Sequence, residues 1–525
     1  MNKVFQYSVI SLSFLMIAFV SAFIMQSSVY CADDLAFNFL EAPLNISRKL
    51  CYGAWVMKFQ YVLMYILPHE FSMDFQSWGL TFGVFFKSLT LLLFPICAFC
   101  FYLVKKIPRL ISLLLSVISF FLLFAFYYKT QFVDFIIYTG FFRFVLPSLL
   151  LFISLFFMYI LYFGVRVNSF FLLILGYICA FSSEVVAGIL LSFSLLLLLF
   201  RFIEAYKNKF QNVSVLPFIS FFSGLIIGTL RLITTVGFSE HFFPKLGEMH
   251  ISLPLIFQNI PDFLYVMFSS MIIDYYYFWI IVLIFVIYNK LNKHNKANIF
   301  SFSVLFGVFV FACSLIIMGK TNYEGEFWIV HNDIHAIFIP CFIFIIMVLS
   351  SELITKNFSK AVFKYSLIAL FIFSGLLFYF SASFLYQKLS VIKDYTYLRD
   401  KMVLFYTFKG QKPILPISVF IYNIYFPDLP PFNSDLVDEA TAPELSSPYD
   451  YSLGVLMMKL YYYPLSYGVN VFREYDEPLF LNHNQALELF KSYGGSYDEI
   501  LDKSYKFSDL NNTRFIMNNN IRLIK

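Results

Sequence analysis

Charge is scarce in this chain. Only 13% of its 525 residues are Asp, Glu, Lys or Arg, while 60% are hydrophobic; a soluble globular domain carries about 25% charged residues. That balance, with a mean hydropathy of +0.76, excludes an ordinary soluble fold and assigns the chain to a membrane. The net charge of +5 is too small for a nucleic-acid partner. The seven cysteines are scattered. The closest pair, Cys97 and Cys100 in ICAFC, sits in an apolar run with no His or second pair nearby, which argues for helix packing over a zinc site. Gly-rich phosphate loops, HExxH pairs, basic patches with interleaved aromatics, internal repeats and low-complexity segments are all missing. Strand-like alternation is missing as well, so the 72 Phe and 37 Tyr fit lipid-facing helices with aromatic ends better than a β-barrel.

What the chain has is long apolar runs. A helix needs about 20 mostly apolar residues to cross a bilayer. By that measure about eleven stretches qualify: 6–29, 83–104, 109–128, 144–164, 168–182, 185–203, 213–235, 263–289, 297–318, 333–351 and 362–384. The first is longer than a signal-peptide core and continues past the small residues at 20–22, so a retained anchor is expected. The fifth and sixth are short and divided at FSSEVVAG. Gly224 and Gly228 in the seventh have GxxxG spacing, the pattern of close helix packing.

Lys and Arg fall in alternate connections: KKIPR (105–109), GVRVN (164–168), RFIEAYKNK (201–209), NKLNKHNK (289–296) and ITKNFSKAVFK (354–364). By the positive-inside rule these and the N-terminus are cytoplasmic. The other connections, about 30–80, 129–143, 181–184, 236–262 and 319–332, then face outward. From 385 the composition changes: residues 385–525 hold 16 of the 32 acids and 14 of the 37 bases, with no 20-residue apolar run. The expected fold is an all-α polytopic membrane protein. Residues 1–384 form its membrane domain, with the first outer loop at 30–80, and residues 385–525 form a C-terminal extracytoplasmic domain of mixed or α structure.

Ionisable groups at membrane depth cost roughly 2.5–3.5 kcal/mol each, so those at the outward edges need an explanation. YCADDLAFNFL (30–40) sets Asp33 and Asp34 directly after the first span. Adjacent carboxylates on a loop point in different directions, so one can face a reacting group while the other binds a cation or fixes the backbone. If both face one site, mutual repulsion makes one the better proton acceptor, as a general base requires. A solvated helix-capping pair is the plain alternative. Residues 44–67 break their apolar run with Arg48, Lys49 and Lys58 and suit one or more interfacial helices roofing a cavity.

Arg143, in YTGFFRFVLP, precedes a span by a few residues; its fork of donors suits a phosphate, and snorkelling suits it equally. Glu184 lies between two short spans, where interrupted helices line cavities. GKTNYEGEFWIVHNDIHAIFIP (319–340) crowds Lys320, His331 and His335 together with acids. The two His share a helical face, but HNDIH lacks the Glu of HExxH, so contact with a sugar or phosphate is expected there in preference to a metal. Lys87, inside the second span, is the one charge that suits a transporter. A Cys31–Cys51 disulfide would be permitted in an oxidising outer compartment.

Taken in order, these features resemble the bacterial polytopic glycosyltransferases of the GT-C architecture. They are a first span followed at once by YCADDL, an interfacial segment, YTGFFRFVLP, a short-helix turn with SSE and an outer C-terminal region. The likeness is greatest to serotype-converting O-antigen glucosyltransferases, and it covers the layout of the membrane portion, not the tail. It implies an enzyme of the bacterial inner membrane. Such an enzyme moves a sugar, glucose in the first place, from a polyprenyl-phosphate donor to a surface polysaccharide such as O-antigen at the periplasmic face, by inverting displacement.

The family's catalytic acid in the first outer loop maps onto Asp33 or Asp34. Arg143, Glu184, Lys320, His331 and His335 are then expected around the donor phosphate or sugar, with a divalent cation as the one cofactor left open. The implied partners are the lipid-linked donor, a polysaccharide or lipid-linked glycan acceptor, membrane lipids, a small flippase and a donor-synthesising glycosyltransferase. An O-antigen polymerase and a transporter or flippase of lipid-linked sugars are the alternatives.

Overall fold

The computed structural model describes residues 3–26, 54–67, 78–130, 140–207, 214–235, 296–319, 339–352, 354, 365–383, 385–386, 414–416 and 479–481. Eleven helices run through them. They are α1 (Lys3–Met25), α2 (Trp55–Tyr61), α3 (Val84–Val104), α4 (Arg109–Thr130), α5 (Leu146–Tyr162), α6 (Ser169–Ala180), α7 (Glu184–Lys207), α8 (Leu216–Ile233) and α9 (Lys296–Gly319), then α10 (Ile339–Glu352) and α11 (Tyr365–Ser383). Three π-helical turns join this set: Val62–Ile66 continues α2, Gly79–Gly83 leads into α3, and Phe141–Val145 leads into α5. Two three-residue strands, β1 (Ile414–Pro416) and β2 (Leu479–Leu481), pair in parallel. The rest of the expected C-terminal domain lies outside the described residues.

This is the architecture of a polytopic helical membrane protein. Among the described residues six helical segments are long and apolar enough to cross a bilayer: Val4–Met25, Thr81–Val104, Phe141–Tyr162, Glu184–Lys207, Leu216–Ile233 and Tyr365–Ser383. Shorter apolar stretches occupy 109–125, 169–180, 297–310 and 339–352. Ten of the eleven expected stretches therefore hold a helix, and 263–289 lies outside the described residues. Such sequences form helices because a lipid-immersed backbone must satisfy its own hydrogen bonds. Pro95 within α3 removes one of those bonds, which a bundle tolerates where neighbours re-satisfy the freed carbonyl.

The helix ends follow from local chemistry. The Asn168 side chain accepts from the Phe170 and Phe171 amides at 2.8 and 3.3 Å and starts α6. Two helices end in paired return hydrogen bonds of the Schellman kind. At the end of α5, Gly164 takes φ +93° while the Val165 and Gly164 amides donate to Ile160 and Leu161. At the end of α3 the left-handed position is filled by Lys106, at φ 58°, with the Ile107 and Lys106 amides donating to Tyr102 and Leu103.

Aromatic packing holds the centre. Phe344 of α10 meets Phe101, Phe152, Tyr159 and Phe300, with ring centroids 5.4 to 6.1 Å apart, and joins α3, α5 and α9. The GxxxG helix packs as expected. A Cβ on Gly224 would lie 2.1 Å from the Leu173 carbonyl oxygen, one on Gly228 2.5 Å from that of Tyr177, and one on Gly176 2.4 Å from that of Phe221. Leu173 and Tyr177 of α6 thus match Gly224 and Gly228 of α8 in the same order, so the two helices run parallel in backbone contact.

The bundle has two distinct ends. At one, the Arg109 guanidinium lies 4.9 Å from the Tyr7 ring, Lys105 pairs with Glu352 and lies 4.3 Å from the Phe163 ring. There too Arg201 bonds Glu204 at 2.6 Å and sits between Tyr162 and Phe218, 4.9 and 5.0 Å away. The basic connections at 105–109, 164–168 and 201–207 therefore share an end with the start of α1. The opposite end collects the close of α1, α2, the three π turns and the α6–α7 turn.

Candidate functional site

Five of the seven residues singled out in the sequence, Asp33, Asp34, Lys320, His331 and His335, lie outside the described residues, as do Cys31 and Cys51. The structure does describe the frame from which the acid pair departs. Phe14 of α1 meets Phe99 of α3, centroids 5.6 Å apart, and Tyr7 lies by Arg109, so α1 and α3 are antiparallel. Counting from the Phe14–Phe99 level, Met25 is eleven residues up α1 and Lys87 twelve residues back along α3. At a rise of 1.5 Å per residue both lie about 17 Å from that level. Gln26, where α1 ends, is therefore level with Lys87, and Asp33 follows seven residues later, within a chain reach of about 25 Å.

Lys87 is the charge that the sequence offered only as a transporter clue. Its side chain is fully buried, and its ammonium lies 5.6 Å from the centre of the Phe141 ring. Desolvating a lysine at membrane depth costs roughly 2.5–3.5 kcal/mol. A cation–π contact in such surroundings recovers about 2 kcal/mol. An ionisable group inside a membrane domain is by default a candidate for function. The signal was visible in the sequence as one lysine in the apolar run VFFKSLTLLLF, but a run of residues does not reveal whether a lysine snorkels or is buried.

Around Lys87 the backbone departs from regular helix. The π turn at 79–83 ends four residues before it, the turn at 141–145 supplies Phe141, and the turn at 62–66 is held by Trp78, whose indole donates to the Leu63 carbonyl at 3.0 Å. Single π turns inside α-helices occur often at functional sites. Phe59, Phe86 and Phe142 close the group: Phe86 and Phe142 are stacked at 4.9 Å and 4°, and Phe59 meets both at 5.7 and 6.0 Å. Phe59 of this group is exposed, as is Phe85, which meets Phe82 at 6.3 Å.

Arg143 is exposed on the third π turn, its guanidinium 5.2 Å from the Phe144 ring. It shares that turn with Phe141, the ring that the Lys87 ammonium of α3 faces, so one turn carries a cation at the surface and meets another inside. Glu184 opens α7 and is exposed, a favourable place for a carboxylate beside the helix dipole. Its neighbours serve the two helix ends: the Ser182 hydroxyl donates to the Cys179 carbonyl at 2.6 Å, and that of Ser183 accepts from the Val185 amide at 3.3 Å.

The α6–α7 turn also anchors α2. The Trp55 amide donates to the Phe181 carbonyl at 3.2 Å, its indole donates to the Ile178 carbonyl at 2.8 Å, and Lys58 lies 5.3 Å from the Phe181 ring. Carbonyls that α6 leaves open at its C-terminus are thereby filled from the segment expected to roof the site. Among the described residues no three His, Cys, Asp or Glu side chains come together as a metal would need. Comparison with family models, with curated proteins and with solved structures gave no match.

Proposed function

We propose that the protein is a membrane glycosyltransferase that moves a sugar, glucose in the first place, from a polyprenyl-phosphate donor to a cell-surface glycan such as O-antigen. The observation that carries the reading is the level match between the end of α1 at Gln26, from which Asp33 and Asp34 follow seven and eight residues later, and the buried Lys87. A carboxylate and a cation at one end of the bundle are what a displacement at an anomeric carbon requires. One carboxylate takes the proton of the acceptor hydroxyl as its oxygen bonds to the anomeric carbon. The bond from that carbon to the phosphate oxygen breaks, both electrons leave with the polyprenyl phosphate, and cations stabilise the departing charge. Attack opposite the leaving group inverts the centre.

In this reading the basic end of the bundle is cytoplasmic and the π-turn end faces the periplasm of a bacterial inner membrane, where Arg143, Lys320, His331 and His335 attend the donor phosphate and Glu184 the sugar. A lipid-linked donor needs a site open sideways to the bilayer, and the exposed Phe59 and Phe85 beside buried Lys87 suit that. A transporter of lipid-linked sugar is the second reading, favoured by the same buried lysine. It calls for charge near the midplane, whereas Lys87 lies in the first third of the 24-residue span Thr81–Val104. The test replaces Asp33 and Asp34 singly by Asn and follows transfer from polyprenyl-phosphoglucose in membranes. Loss of at least a hundredfold is expected for the base, and wild-type rates in both variants would refute the assignment.

A further inference from the structure

We infer that Tyr386 is a positioning residue, which fixes the point where the chain leaves α1 toward Asp33 and Asp34. The inference rests on the reading above and adds to it a residue that nothing local in the sequence marks. Tyr386 lies just beyond α11. Its ring stacks on Phe23 in the last turn of α1, with centroids 4.9 Å apart and planes 13° from parallel, and the Gln26 side-chain amide donates to its hydroxyl at 3.5 Å. The chain toward the acids and the chain toward residues 387–525 therefore leave the bundle from residues in contact.

The work of this contact follows from the rest of α1. Ile24 and Met25 are buried and hold the inner side of the last turn, whereas Phe23 is 48% exposed and has Tyr386 as its cover. The last carbonyls of a helix have no partner within it, so a last turn held from one side only is where α1 opens first. Opening it would lengthen the connection that runs to Ala54 and give the acids more room. The far end of that connection is already fixed, by the hydrogen bonds from Trp55 to Phe181 and Ile178. Tyr386 has a firm base of its own: Leu385 beside it is buried, and Phe378, about two turns earlier, stacks on Phe121 of α4 at 4.6 Å. A carboxylate that must meet a reacting hydroxyl loses about a hundredfold in rate for a displacement of about 1 Å. A looser exit therefore acts on the chemical step more than on donor binding.

The experiment measures transfer from polyprenyl-phosphoglucose in membranes holding the full-length protein, with kcat and the KM for the donor separated. Tyr386→Ala is expected to lower kcat at least fivefold and to leave KM within twofold, while Tyr386→Phe keeps the stack and at least half of the rate. Phe23→Ala removes the same contact from the α1 side and is expected to reproduce the loss, so a Tyr386→Ala chain that fails to accumulate does not stop the test. Phe19→Ala, exposed one turn earlier on α1, leaves kcat unchanged. The last arm combines Tyr386→Ala with whichever of Asp33→Asn and Asp34→Asn removes more of the transfer. A residue that acts through the acid then has nothing left to misplace, and the double variant matches the acid variant within twofold.

Wild-type kcat in Tyr386→Ala, or in Phe23→Ala where that variant stands in for it, would overturn the role of Tyr386 and leave the glycosyltransferase reading standing. So would a further fivefold loss in the double variant, which is what a general loosening of the bundle produces. Transfer that neither acid variant slows would overturn the reading itself, and the inference with it.

Discussion

Replacing Gly224 by Ala should separate two membrane helices, and the structure gives the size of the effect. The new Cβ would stand 2.1 Å from the Leu173 carbonyl oxygen, 2.9 Å from its carbon and 3.0 Å from the Tyr177 nitrogen. All three are backbone atoms of an intact helix, so none can rotate away. Real Cβ atoms do not approach below 3.0 Å, so α6 and α8 must part by about 1 Å. A gap of about 1 Å forfeits about half of each cross-interface contact of ~0.1–0.2 kcal/mol. Over a few dozen such pairs Gly224→Ala costs about 2–3 kcal/mol, at the upper end for an overpacked site. Helix association in lipid rests on this packing, because water offers no hydrophobic drive to restore it.

The assay is reversible SDS unfolding in mixed micelles, followed by far-ultraviolet circular dichroism. Gly375→Ala is the paired control: its Cβ would meet only the tip of the Phe121 ring, at 3.7 Å. Replacing glycine by alanine within a helix then stabilises by up to about 1 kcal/mol. Gly224→Ala and Gly375→Ala agreeing within about 0.5 kcal/mol would refute the close backbone approach of α6 and α8.

Two smaller changes test the helix ends. Lys106→Gly should stabilise the protein by about 1 kcal/mol in the same unfolding assay, because a lysine at φ 58° bears a left-handed strain that glycine lacks; a loss instead would mean that the Lys106 side chain holds the turn. Asn168→Ala should cost about 1 kcal/mol, since it strands the Phe170 and Phe171 amides, and Asn168→Asp should recover most of that loss.

The parts of the fold legible in the sequence are those set by local composition. Apolar runs located ten helices because an all-apolar segment has one way to satisfy its backbone in lipid. GxxxG at 224 and 228 announced a close crossing, although nothing announced that Gly176 would face it from α6. Alternation of Lys and Arg sorted the connections onto two ends, and the ring and ion-pair contacts of Tyr7, Lys105, Arg109 and Arg201 follow that sorting. The π turns were not legible. The fourth span was expected from 144 because Arg143 looks like a boundary, yet the π turn carries helical structure back through Arg143 to Phe141. The Lys105–Glu352 pair, 247 residues apart, depends on tertiary packing that no local window contains. For the candidate site, the sequence chose the acids and the surface cations, while the burial of Lys87 became visible only once α3, α5 and the π turns were set side by side.

The two ends of the bundle are closed by opposite means. At the basic end, among the described residues, α3 and α5 close in return turns at Lys106 and Gly164, Lys105 lies by the last turn of α5, and Arg201 pairs with Glu204. Cations at helix C-termini complement the dipole, so that end is locally consistent and has little reason to rearrange. At the other end three π turns interrupt the regular ladder, Lys87 is buried, and Arg143 and Glu184 stand at the surface. A membrane helix built for packing alone would use regular turns and apolar residues at such positions. Departures from local preference gather at functional or strained sites, and the chain that leaves α1 toward Asp33 and Asp34 starts from the end of the bundle where these departures lie.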